Sequence, residues 1–276
     1  METDPVAIDL NVDAALMLQD MVGIDSYPPV LALLPNIYHI EDRDRVRAVV
    51  GEQLTEVGVI EDGRVHPVVE HWLQCLYRPD MELVARVADT GLDGRPKAML
   101  RMSLVRSGET HVLAVRNDDH VVIQSVFQQQ RELDTLAAAL AAALNPHPVL
   151  RFQPLTASME DFADIPAEQR ERQLALLELG ANPHTAGLLS RVLDEIVQRA
   201  EVLMIEHRDG GSAQTQFCLS VLDTLSGRVV VTPSVAMDGQ GWSTYTPGDD
   251  SALRAGIAAL VEMLPGRSWF DTSRVN

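Results

Sequence analysis

Eight histidines, two cysteines and forty carboxylates are the side chains with which this 276-residue chain could hold a metal. Their spacing argues against it. His66 and His71 are five residues apart, which puts them on different faces of a helix, and the sequence contains no His-Glu-x-x-His. Cys75 and Cys218 are far apart and lack neighbouring cysteines, so neither a zinc knuckle nor a disulfide framework is expected. Nucleotide cradles are missing as well, since neither G-x-G-x-x-G nor G-x-x-x-x-G-K-[ST] occurs. The glycines at 210, 211, 239 and 241 fall between strand-like runs and not at a strand-to-helix turn. No G-x-S-x-G elbow marks a nucleophile. The acidic pairs Asp118/Asp119 and Asp249/Asp250 sit in a turn and at a helix start, where structural roles suffice. No catalytic residue, metal or cofactor is expected.

The charge balance narrows the partners. Twenty-two basic against forty acidic side chains give a net charge of −18, which repels a phosphate backbone and makes nucleic acid an unsuitable ligand. No basic amphipathic run suits an anionic membrane surface, and the Ala-rich segment 133–144 is too short to span a bilayer. The opening residues, METDPVAIDLNVD, lack the basic stretch and apolar core of a signal peptide. With 46% hydrophobic residues the chain can bury a substantial core, so a soluble cytoplasmic protein without membrane insertion is expected.

What must position any functional surface is a regular alternation of elements. Residues 6–12 alternate as a strand, with Asp13 as the expected cap of the helix that follows, and 30–35 read as a short extended run. Helical periodicity covers 41–57, stopped by Gly58, and then 67–77. Strands are expected at 82–89, 98–106, 110–115 and 120–127, joined by turns at Asp93/Gly94 and Ser107/Gly108, with a helix over 131–144. The second half repeats the pattern. Helices are expected at 169–179 and from Asn182/Pro183 through 200, then strands at 201–207, 213–222, 228–233 and, more weakly, 242–246. Asp249 caps a final helix over 252–264.

Equivalent features recur at offsets of 117 to 122 residues. Ser226 follows Ser107 by 119 residues, and Glu201 follows Glu82 by the same 119. The expected fold is therefore α+β: one domain over 1–276, with a central, mostly antiparallel sheet built from two pseudo-twofold-related halves and flanked by helical bundles. The N-terminal half is 1–145, a proline-rich connector covers 146–166, and the C-terminal half is 167–276.

With chemistry set aside, the surface remains. In 214–222 the residues Gln214, Gln216, Cys218 and Ser220 alternate with an apolar set, and Val230, Trp242 and Thr244 lie on the strands expected beside them. Arg101 and Ser103 stand in the matching strand of the first half. An uncovered, mixed polar and aromatic sheet face of this kind suits a protein partner. Two other readings compete: a cytosolic enzyme or small-ligand regulator on a duplicated α+β fold, and a weak homodimer through open sheet edges.

Several segments, in order, carry a resemblance: IDLNVDAALMLQDMV near the start, PNI with RDRVRAVVGEQLTEVGVI after it, VLDTLSGRVVVTPS over 221–234, and TPGD with LVEMLPGRSWF over 246–270. Across essentially its whole length the sequence resembles the EspG family, the secretion-associated chaperones of the ESX (type VII) systems of mycobacteria. The resemblance implies a pseudo-symmetric antiparallel sheet with helical bundles and a non-enzymatic role. It further implies ATP-independent binding of the apolar tip of the PPE protein in PE–PPE heterodimers, which keeps them soluble for delivery to the secretion machine. That tip would be masked by the central sheet and the C-terminal helices. The nine partner-binding candidates named above follow from strand alternation alone.

Overall fold

The computed structural model describes residues 4–35, 40–90, 95–128 and 130–274. Strand β1 (Ala7–Asn11) runs directly into helix α1 (Val12–Val22). The cap is Asn11 and not Asp13: the Asn11 side chain accepts from the Ala14 amide at 2.8 Å while its backbone still pairs with His120. Asp13 falls inside the first turn, where its charge meets the positive end of the helix. Residues 30–35 do not form an extended run. Pro29 opens a 3-10 turn, Pro29–Leu31, which Ala32 closes at φ 49°, and Arg116 donates to the Leu31 and Ala32 carbonyls.

Helix α2 (Ile40–Glu56) precedes a small hairpin of β2 (Ile60–Glu61) and β3 (Arg64–Val65), and α3 (Pro67–Tyr77) buries Val69, Trp72, Leu73 and Leu76. A meander follows: β4 (Met81–Thr90), β5 (Pro96–Ser107), β6 (Thr110–Asn117) and β7 (His120–Ser125). The expected Asp93/Gly94 turn lies outside the described residues. Gly108 makes the β5–β6 turn at φ 58°. Helix α4 (Asp134–Leu144) begins three residues later than 131.

The segment 146–166 is more ordered than its composition suggests. It carries β8 (Leu155–Ser158) and α5 (Met159–Ala163), and Val149 bridges to Arg228. Helices α6 (Gln169–Glu178) and α7 (Pro183–Val192) follow, α7 capped by Asn182 with Pro183 in its first turn. The expectation of helix through 200 is wrong. Residues 196–200 open the long strand β9 (Ile196–Arg208), where Ile196 pairs with Thr224 while Gln198, Arg199 and Ala200 lie between two partner strands, and tertiary pairing overrides the helical periodicity. The single strand expected over 213–222 is also wrong. Strands β10 (Gly211–Gln214) and β11 (Leu219–Thr224) both pair with β9, but residues 215–218 face only Leu203 and Met204 and bulge out of the ladder. Strands β12 (Gly227–Val235) and β13 (Gly241–Pro247) form a full hairpin, and α8 (Asp250–Glu262) is capped by Asp249.

Among the described residues eleven strands make one antiparallel sheet in the order β1-β7-β6-β5-β4-β9-β11-β12-β13-β8, with β10 also on β9. The two meanders join where β4 pairs with β9, Val84 opposite Leu203. On one face α4 and α8 cover the sheet centre over Leu83, Met102, Val202, Val221 and Val230. On the other face the helices divide. α1, α2 and α3 cover β1, β7, β6 and β5, whereas α6 and α7 cover β11, β12 and β13. A strip between the two helical groups is left open.

The segment after α8 crosses back to the first half. Trp269 is buried, with its indole N–H donating to His111 Nε2 at 3.0 Å, and Arg106 donates to the Trp269 carbonyl. His111 Nδ1 faces the Glu109 carbonyl at 3.3 Å, so the ring is neutral with its proton on Nδ1. Burial, and then the nearby Arg106 charge, push the His111 imidazole below its ordinary value, against the Glu109 carbonyl. The unfolded chain takes up this proton near pH 6.5 while the folded one resists it, so stability present above pH 6.5 is lost as the pH falls toward the lowered value. Thermal melts between pH 7.5 and 5.5 should show that loss, and His111→Gln should flatten it. An equal slope in both proteins would remove His111 from the account.

Candidate functional site

The open strip lies on the sheet face between the helical groups, at the β4–β9 junction. Registers place Val121, Arg116, Arg101, Arg86, Glu201, Ser220 and Val231 side by side on seven adjacent strands. Arg86 and Glu201 are exposed and Arg101 is half-buried, and exposed Arg199 stands on the same face two residues before Glu201. Directly opposed side chains on an antiparallel pair have Cβ atoms about 5 Å apart, so three arginines here are forced together. Arg116 is occupied by the carbonyls of Leu31, Ala32 and Asp118. Arg86, Arg101, Arg199 and Glu201 make no hydrogen bond or ion pair among the described residues. Half-buried Leu203, Met99 and Ala88 lie beside them on the same face. The strip is thus a broad, locally basic surface with apolar neighbours, in a chain of net charge −18.

The nine candidates do not form one patch. Arg101, Ser103 and Ser220 share the face of the open strip, although Ser103 is fully buried and donates to Glu82 at 2.8 Å. Gln214 is on that face by its pairing with Ile205. Exposed Gln216 and Cys218 belong to the bulge, and the Cys218 thiol lies 3.8 Å from the Ser220 hydroxyl. Val230 is on the opposite face and fully buried beneath α8, so it is core. Trp242 and Thr244 also face that way, at the β13 edge, where Thr244 meets Thr156 at 2.9 Å. Strand alternation holds across the bulge, since four residues oppose two of β9 and Gln214 and Ser220 keep one face; the misplacement lies between strands, where Ser220 pairs with Val231 and not with Val230. Arg86, Arg199 and Glu201 are not among the nine, and their signal is present: each is a charged residue set between apolar ones in the middle of its strand, Ala85-Arg86-Val87 and Arg199-Ala200-Glu201-Val202.

The largest concavity, about 730 Å³, is elsewhere, between α1, the 3-10 turn and α2. Its wall is mainly Leu16, Met17, Leu33, Val46 and Val50, and among the described residues no histidine lines it. Among the described residues no group of three or more His, Cys, Asp or Glu could hold a metal. Burial pushes the Cys75 thiol up to about 11, which keeps it protonated and unreactive. Among those residues no helix is long and apolar enough to cross a membrane.

Comparison with known proteins gives the chain a lineage. The EspG family model matches residues 11–259. The chain belongs to the EspG family. The ESX-3 secretion-associated protein EspG3 of Mycolicibacterium smegmatis is 32% identical over 278 residues, covering 96% of this chain and 90% of that protein. The ESX-1 secretion-associated protein EspG1 of Mycobacterium marinum is 28% identical, over 97% of this chain and 92% of the relative. Among solved structures, the Mycobacterium tuberculosis type VII secretion system chaperone EspG5, in complex with a PE25-PPE41 dimer, superposes with a TM-score of 0.79. It is 21% identical and covers 97% of this chain and all of that one, so the two share a fold. In this EspG-family chain the α+β architecture and the single antiparallel sheet agree with that likeness.

Proposed function

We propose that this chain is a cytoplasmic, ATP-independent secretion chaperone that holds a PE–PPE heterodimer soluble by covering the apolar tip of its PPE protein, for delivery to a type VII secretion system. The observation that carries the reading is a fold shared over 97% of the chain with EspG5, whose solved complex contains a PE–PPE dimer. The physical task needs no catalyst. Apolar tip residues self-associate in water, and a complementary surface removes about 25 cal/mol of unfavourable hydration for each Å² it covers. Discrimination among partners then comes from contacts that fit one tip and clash with another.

The same reading takes the chain as one unit written twice, 1–145 and 167–276. In its support, Val84 and Leu203 pair at the junction of the meanders and differ by 119, the offset between Ser107 and Ser226. The open strip lies on that seam, bordered by both helical groups, where a partner can touch both halves at once.

Co-expression with PE–PPE pairs tests the function. A stoichiometric complex with one pair, and a rise in the soluble fraction of its PPE protein, is the expected result. Failure to hold any pair from the same genome would sink the chaperone reading.

A further inference from the structure

The sheet centre holds an electrostatic conflict that the fold does not need. Arg86 and Arg101 oppose each other directly, Arg116 continues the row, and Arg199 stands beside it. Like charges directly opposite each other on an antiparallel pair destabilise it. The chain has 40 carboxylates with which to neutralise such a row, yet Glu201, which stands opposite Arg86, makes no ion pair with it. Elsewhere the same chain pairs its buried arginines closely: Arg106 with Asp80 at 3.2 Å, Arg172 with Asp194 at 2.8 Å and Arg228 with Asp223 at 2.6 Å. In the strip, half-buried Arg101 and exposed Arg86 and Arg199 have no such partner among the described residues.

We propose that this row is a carboxylate seat: the protein partner lays two or more Asp or Glu side chains, on a helix end or turn, across Arg86, Arg101 and Arg199. The proposal rests on the chaperone reading and adds the partner's chemistry to it. A planar guanidinium accepts a carboxylate through two parallel N–H···O bonds, and two adjacent ones fix its direction as well as its place. Leu203, Met99 and Ala88 border the row, so the acidic group must be flanked by apolar residues, as at the rim of an apolar tip. Covering the seat removes water from the ion pairs and strengthens them, and a partner without the acids leaves buried arginines unpaired. The seat therefore selects among tips of similar apolar character. A phosphate polyanion fits poorly, because beyond this strip it meets the field of a chain at −18.

The test is the pair Arg86→Gln and Arg101→Gln in the full chain, read two ways. Melting of the free protein comes first. Relief of the like-charge contact keeps its midpoint or raises it by up to about 3 °C, whereas a fall would make the arginines structural and overturn the seat. Capture of the PE–PPE pair that the unaltered chain holds comes second. It should weaken by about 30-fold or more and lose most of its salt dependence, while Arg254→Gln with Arg267→Gln, the same charge change away from the strip, leaves it intact. Capture that is unaltered in the strip variant overturns the seat and leaves the chaperone reading standing. If the unaltered chain holds no pair, that reading fails by itself, and a fluorescein-labelled hexaglutamate peptide decides the seat. Binding at low salt that the double substitution abolishes supports it, and no binding overturns it.

Discussion

Replacing Arg106 with methionine should destabilise the folded chain by about 3–5 kcal/mol, the usual result of removing one partner from a buried ion pair. Arg106 is 3% exposed. Its guanidinium reaches Asp80 at 3.2 Å, the Gly108 carbonyl at 3.0 Å, the Thr272 hydroxyl at 2.9 Å and the Trp269 carbonyl at 2.5 Å. Methionine fills much of the volume but answers none of these acceptors. Asp80 keeps the Gly108 and Arg274 amides, which moderates the loss without cancelling it. Calorimetry should show a midpoint lower by about 10 °C. Adding Asp80→Asn should recover part of that, because the orphaned charge is then gone. A loss below about 1 kcal/mol would mean that water reaches this cluster.

The second large effect is expected at Arg228→Met. Arg228 and Asp223 are 6% and 5% exposed at their side chains and meet at 2.6 Å. The same guanidinium donates to the Leu144 and Asn145 carbonyls, which closes the C-terminal end of α4. Main-chain bonds from Arg228 to Pro148, Leu150 and Gly248 tie 146–150 to β12. The substitution leaves a buried carboxylate and two buried carbonyls unanswered, so a loss of about 3–5 kcal/mol is expected. Because the main-chain bonds survive, hydrogen exchange should rise first at the end of α4 and over 145–150, with β12 still protected. Uniform loss of protection across the sheet would contradict this placement.

Much of this architecture was legible because local chemistry and tertiary context agree. Helix α3 occupies 67–77 as its periodicity predicts, with Pro67 in its first turn, and the four strands of the first meander lie where alternation put them. Legibility failed where context overrode pattern. Residues 196–200 have helical spacing but are drawn into the sheet beside β4 and β11. The bulge at 215–218 is invisible to a period-two count, and the register that sets Val231, not Val230, opposite Ser220 is fixed only by the pairing of the strands. Strand β8 is short and Pro-flanked, and only its pairing with β13 makes it a strand. Of the candidate surface, Arg101 and Ser220 were found, but Val230 was taken for surface because sequence cannot say which face α8 covers.

The strap at 265–274 ties synthesis order to completion of the fold. Trp269 reaches His111 across 158 residues, and Thr272 reaches Arg106 across 166. Strand β4 likewise waits for β9, more than a hundred residues later, to cover its edge. A ribosome-bound first half can therefore form its meander but neither cap that edge nor fill the cavity beside His111. Closure of such distant contacts is slow, and an uncapped edge invites pairing with other chains. Until its last turns are made, the emerging chain thus carries an unsatisfied edge that its own final segment must close.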